Sequence, residues 1–131
     1  MNLFVLGDYN YGDPDTYSLV GGYLDDIHYG KEMVDKIVTF DIDGVCNLAS
    51  VWAYEEKVDF TLVGNPLCKE AVANSWFRRI VDEQEVDAFL FVFLEDSKDK
   101  ERRMHFAIRD LFRRVQKTFK RQKVYTNKLL P

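Results

Sequence analysis

The sequence predicts one α+β domain, a mainly antiparallel sheet packed by two helices. Three observations predict it. Residues 34–63 alternate apolar and polar positions on either side of Asp43-Gly44, a dipeptide suited to a tight hairpin turn. Ala88 to Leu94 is apolar throughout, the pattern of a central strand covered on both faces. Residues 99–121 carry apolar side chains at spacings of three and four, the mark of an amphipathic helix.

In chain order, Leu3 to Leu6 reads as a short buried strand stopped by Gly7. Asp8 to Tyr17 is rich in Asp, Gly, Asn and Tyr and reads as a loop. Residues 16–29 admit either a hairpin turning at Gly21-Gly22 or a helix interrupted there. Extended structure is favoured, because Tyr, Val and Thr suit strands and two adjacent glycines cost a helix ~2 kcal/mol. Val34 to Ile42, Val45 to Tyr54 and Val58 to Val63 then form an antiparallel meander over about 34–63, with Glu55-Glu56-Lys57 as its second turn. Asn65-Pro66 is suited to start a helix over about 66–84, running through Leu67, Ala71, Val72, Trp76, Phe77, Ile80 and Val81, with its apolar side on the sheet. A central strand over 86–94 follows. Asp96 and Ser97 are candidate caps for the helix over 99–121, and Val124-Tyr125 adds an edge strand. The whole, 1–131, is a single domain whose basic helix and tail span 99–131.

Composition narrows the function classes. With 47% hydrophobic, 15% aromatic and 31% charged residues, the chain is globular. Cys46 and Cys68 lie among apolar residues without Cys-x-x-Cys spacing and read as reduced, buried thiols. The N-terminus lacks a signal-peptide pattern, and no apolar run approaches the ~20 residues of a membrane span. A cytoplasmic chain without membrane contact is expected, or a virion component for a viral protein.

Charge is divided unevenly along the chain. Residues 1–100 hold 8 Lys/Arg against 20 Asp/Glu, and residues 101–131 hold 10 against 2. In the last helix, Met104, Ile108, Leu111, Phe112, Val115 and Phe119 form the apolar stripe. At ~2 kcal/mol each, their burial is worth on the order of 10 kcal/mol gross. Arg102, Arg103, Arg109, Arg113, Arg114, Lys117, Lys120, Arg121 and Lys123 cover the remainder and are the candidate binding residues. Three uses suit such a face: a solvated surface, a track for nucleic-acid phosphates, or a docking surface for an acidic protein, another copy included.

Two motif-level likenesses suggest enzymes. Val38-Thr39-Phe40-Asp41-Ile42-Asp43-Gly44-Val45 resembles the first motif of the haloacid-dehalogenase-like phosphatases. That resemblance implies Asp41 as nucleophile and Asp43 as acid/base beside Mg²⁺. The bland alternative is a hairpin turn at Asp43-Gly44. The order of elements is similar to that of the GNAT acyltransferases, which implies acetyl-CoA held at Val63-Gly64-Asn65-Pro66-Leu67-Cys68-Lys69. That segment has one glycine and a proline without an N–H, so it departs from the family's Gly-rich pattern.

Other candidates are thinner. Asp8, Asn10, Asp13 and Asp15 are spaced somewhat like a Ca²⁺ loop, but Leu19 stands where a bidentate Glu belongs. His28 and His105 are isolated, and neither Ser50 nor Cys68 has a nucleophile's context. Tyr9, Tyr11, Tyr17, Tyr23 and Tyr29, interleaved with acids, suit an interaction surface or half-buried structural roles. The resulting expectation is a non-enzymatic binding or assembly protein, without cofactor or metal, suited to an accessory role or to a viral or phage particle. Its last helix contacts an acidic protein partner or nucleic-acid phosphates. A reduced acyltransferase and a Mg²⁺-dependent phosphatase are the alternatives.

Overall fold

A computed structural model describes residues 1–8, 14–65, 74–93 and 102–127. Strands and helices alternate: β1 (Asn2–Gly7), α1 (Pro14–Gly30), β2 (Lys36–Thr39), α2 (Val45–Glu55), β3 (Asp59–Leu62), α3 (Asn74–Glu83), β4 (Ala88–Val92), α4 (Arg102–Thr118) and β5 (Lys123–Thr126). The five strands form one sheet in the order β3-β2-β1-β4-β5, and every neighbouring pair is parallel. This α/β architecture overturns the expected antiparallel α+β meander. A parallel pair needs a crossover, and here each successive pair of strands is separated by a helix.

Two segments differ in kind from expectation. Residues 45–54, read as a strand, are helix α2, and its buried Val45, Cys46, Leu48, Ala49, Trp52 and Ala53 form one side of it. Leu48 and Trp52 lie four apart, a spacing that fits both a strand face and a helix stripe. Residues 16–29, favoured as extended, belong to α1, where Tyr17, Val20, Leu24 and Ile27 make a helical stripe packed in the core. That burial outweighs the helix cost of Gly21 and Gly22. With no hairpin at Asp43-Gly44, the element order behind the acyltransferase likeness is also lost. The remaining elements keep their expected type: β1 to β5 are strands, and α3 and α4 are helices. Of the helix expected over 66–84, residues 66–73 lie outside the described residues, as does the start of the one expected over 99–121.

Side chains alternate across the sheet and build two cores. Leu3, Val5, Ile37, Leu90 and Val92 face α1 and α2. Phe4, Leu6, Val38, Phe40, Phe89, Phe91 and Phe93 face α3 and α4. The second face is a lattice of rings, with Phe91 to Phe112 at 5.0 Å and Phe4 to Phe40 at 5.2 Å between centroids. Such pairs add about 0.5–1.5 kcal/mol each beyond burial. On it lie Ile108, Leu111, Phe112 and Val115, with Phe119 partly buried, so the apolar stripe of the last helix from Ile108 onward is consumed inside its own domain; the Met104 side chain lies outside the described residues. No helix among the described residues is long and apolar enough to cross a membrane.

Candidate ligand crevice at the carboxyl edge of the sheet

Strand order reverses between β1 and β4. The chain leaves β1 for α1 on one face and leaves β4 for α4 on the other. In open α/β sheets the usual ligand position lies beyond the carboxyl ends of the two strands at such a reversal, which marks that place as the candidate crevice of this sheet.

The crevice floor is held from three directions. Gly7 and Asp8 end β1, and the Asp8 N–H donates to the Val92 carbonyl on β4 at 3.2 Å. The Asp8 carbonyl accepts from the Val45 N–H at 3.2 Å, tying β1 to the first residue of α2. Gly44, at φ 91°, turns the chain from β2 into α2 and, as a glycine, brings no side chain of its own to cap that helix start. Asp8 itself is fully buried. On the β4 side, Asn127 clamps Phe93: its Oδ1 accepts from the Phe93 N–H at 2.8 Å, and its Nδ2 donates to the Phe93 carbonyl at 2.9 Å. The Arg109 guanidinium lies 4.4 Å from the centroid of the Phe93 ring. The carboxyl ends of the strands thus carry a buried Asp8, the start of α2 tied to it, and the half-buried Arg109 over Phe93.

The candidate residues from the sequence fall in separate places. Arg102 and Arg103 start α4 on the carboxyl-edge side, and their side chains lie outside the described residues. Arg109 stands at the crevice. Arg114 pairs with Asp110 at 2.7 Å. Arg113, Lys117, Lys120, Arg121 and Lys123 are exposed toward the far end. The 17 residues of α4 extend about 25 Å, so Arg109 lies well away from Lys117 along the helix.

Asp41 and Asp43 do follow a strand directly, as the phosphatase likeness implies, and both are exposed. They stand at the end of β2, where the Asp41 N–H donates to the Gly64 carbonyl at 2.8 Å. No group of three His, Cys, Asp or Glu able to hold a metal occurs among the described residues.

The chain matches no protein-family model, no curated protein and no solved structure.

The thinner candidates resolve into structural roles where they are described. His28 Nδ1 accepts from the Val34 N–H at 2.9 Å, and its ring packs edge-on against Trp52. Ser50 donates to the Asn47 carbonyl at 2.6 Å. Cys46 is fully buried, and burial pushes its thiol up, away from nucleophile character. Tyr17 donates to Glu55 and Tyr29 to Glu56, joining α1 to the end of α2. Tyr9, Asn10, Tyr11, Asp13, Cys68, the Pro66–Lys69 part of the acyltransferase-like segment and the caps Asp96 and Ser97 lie outside the described residues. Sequence reasoning placed Asp8 only in a metal loop. The available signal was Gly7-Asp8 directly behind a continuous apolar strand, which is where a parallel strand delivers a site.

Proposed function

We propose that the crevice between β1 and β4 binds a small phosphate-bearing ligand of the mononucleotide or sugar-phosphate class. The reversal of strand order at β1/β4 carries the reading, since doubly wound sheets take their ligands there. The start of α2 turns the positive end of a helix dipole toward a phosphate. Arg109, over Phe93 just past the end of β4, supplies a cation on the α4 side of the sheet, and the Asp8 carboxylate suits a ligand hydroxyl. A dinucleotide is disfavoured, because Gly7-Asp8-Tyr9-Asn10-Tyr11-Gly12 lacks the Gly-x-Gly-x-x-Gly pyrophosphate pattern.

Thermal unfolding with AMP, ADP, ATP, GMP, UMP, ribose 5-phosphate and inorganic phosphate tests the reading. A ligand at a hundred times its Kd adds about 2.7 kcal/mol, which for a chain of this length raises Tm by about 10 °C. Arg109→Gln and the isosteric Asp8→Asn should each reduce that shift. If no compound at millimolar concentration moves Tm, the reading fails.

A second reading, a protein that assembles through its basic helix, is supported by the exposure of Arg113, Lys117, Lys120, Arg121 and Lys123 around the end of α4. These side chains face an acidic partner or nucleic-acid phosphates without competing with the crevice.

A further inference from the structure

We propose that a second copy of this chain docks head to tail, its β3 edge beside the β5 edge of the first, so that the parallel sheet continues from copy to copy. The two edges are complementary in charge, hydrogen-bond phase and shape.

Charge comes first. Both edge strands begin at the amino edge of the sheet, β3 at Asp59 and β5 at Lys123. The approach to β3, residues 55–59, carries Glu55, Glu56 and Asp59 against one cation, Lys57. The approach to β5, residues 117–123, carries Lys117, Lys120, Arg121 and Lys123 and no acid. All eight are exposed. Parallel head-to-tail pairing brings acidic and basic clusters together at the same level. Antiparallel pairing of β3 with its own copy would instead turn the acidic approach toward the carboxyl edge, where Asp41 and Asp43 are exposed.

Hydrogen-bond phase agrees. The Val63 N–H is spent on Thr39 of β2, so by alternation Phe60 and Leu62 turn their backbone groups to the open side. On β5 the N–H groups of Lys123 and Asn127 are spent on β4, so Val124 turns outward. A parallel ladder pairs an outward residue with one flanked by two outward residues, which sets Val124 opposite Thr61 of the second copy. In the existing sheet, Val124 pairs with Phe89, Phe89 with Phe4, Phe4 with Val38 and Val38 with Thr61. The new pairing keeps that level.

Shape follows from the same register. Phe60 comes beside Lys123, and Leu62 beside Tyr125. Phe60 and Leu62 are 41% and 45% exposed, and they share the α1/α2 side of the sheet with their partners Ile37 and Thr39. The lysine stem and the tyrosine ring would cover this apolar pair. An edge lysine discourages pairing with a like edge, but opposite an acidic edge it selects the partner. Because the two surfaces differ, association extends into a ring or an open chain and does not stop at two copies.

Sedimentation of the full chain over a concentration series at low and high salt tests this. The weight-average mass should rise past that of a dimer at low salt and fall back toward the monomer at high salt. The variant Lys120→Glu/Arg121→Glu/Lys123→Glu has two acidic edges, and Glu56→Lys/Asp59→Lys has two basic ones. Each alone should stay monomeric, and an equimolar mixture should associate again. Should either variant fail to fold, Arg121→Glu/Lys123→Glu and Asp59→Lys, which leave the β5 and β3 approaches without net charge, should each associate more weakly than the wild type at low salt, and unweakened association would overturn the proposal. A wild-type monomer at high concentration and low salt, growth that stops at a dimer, or a mixture that stays monomeric would each overturn the proposal. So would a basic edge that binds labelled oligonucleotide while the chain stays monomeric.

Discussion

Gly7→Ala is the sharpest probe of how the crevice is built. A Cβ on Gly7 would lie 2.4 Å from the Val92 carbonyl oxygen and 2.6 Å from both Cβ and Cγ1 of Val45. Ordinary contact begins near 3.4 Å, so these neighbours would have to retreat by about 1 Å. Neither is free to do so. The Val92 carbonyl accepts from Asp8, and Val45 both opens α2 and donates to Asp8. Rigid neighbours on two sides put the substitution at the upper end of overpacking costs, about 3 kcal/mol, or a fall in Tm of about 10 °C for this length. Urea unfolding followed by circular dichroism should show a lower midpoint with an unchanged slope, since the denatured chain is the same. Adding Val45→Ala removes Cγ1 but leaves the Val45 Cβ and the Val92 carbonyl, so the double variant should recover little. A Gly7→Ala protein within about 0.5 kcal/mol of wild type would refute the argument that β1, β4 and α2 meet at this residue without slack.

Gly22 lies mid-helix in α1, and a Cβ there would meet nothing within 4 Å. Gly22→Ala should therefore stabilise by about 0.5–1 kcal/mol, read as a higher urea midpoint; destabilisation would argue against a helix over Pro14–Gly30. Tyr17 is held above the ordinary tyrosine value, chiefly by donating its phenol hydrogen to Glu55. The folded state thus binds that proton more tightly than the unfolded chain, whose tyrosines ionise near pH 10. The resulting stability is complete below that pH and is lost as pH rises through the raised value. In an ultraviolet titration, Glu55→Gln should move one tyrosine's midpoint downward; an unchanged curve would remove the Tyr17–Glu55 bond from the account.

The candidate site was only partly legible. In the sequence Arg109 is one of nine cations in and after the last helix, yet its distinction from Arg113 or Lys117 is that it reaches Phe93, just past the end of β4. Nothing in its spacing marks that, because position along α4 relative to the strand ends is set by the packing of the helix. Asp41 and Asp43 were matched to a strand-end motif, and the strand end is where they lie, but their strand is β2, one place from the reversal.

What the sequence determined by itself is the set of elements whose pattern is strong and local. The apolar runs of β1 and β4 admit little besides buried strands, and the stripe through Ile108, Leu111, Phe112 and Val115 matches only a helix. The tertiary structure decided what local patterns left balanced. Leu48 and Trp52 suit a strand or a helix, and Asp43-Gly44 suits a hairpin or a strand-to-helix junction with Gly44 at positive φ. Such ties are broken by long-range burial. With 45–55 helical and lying across the sheet, Val45, Ala49 and Trp52 reach the same core as Val20, Leu24 and Ile27, and β3 can return parallel to β2. A two-residue hairpin could only have joined antiparallel strands, so the choice at Gly44 between turn and helix set the direction of the strand pairing, the point of reversal and the crevice.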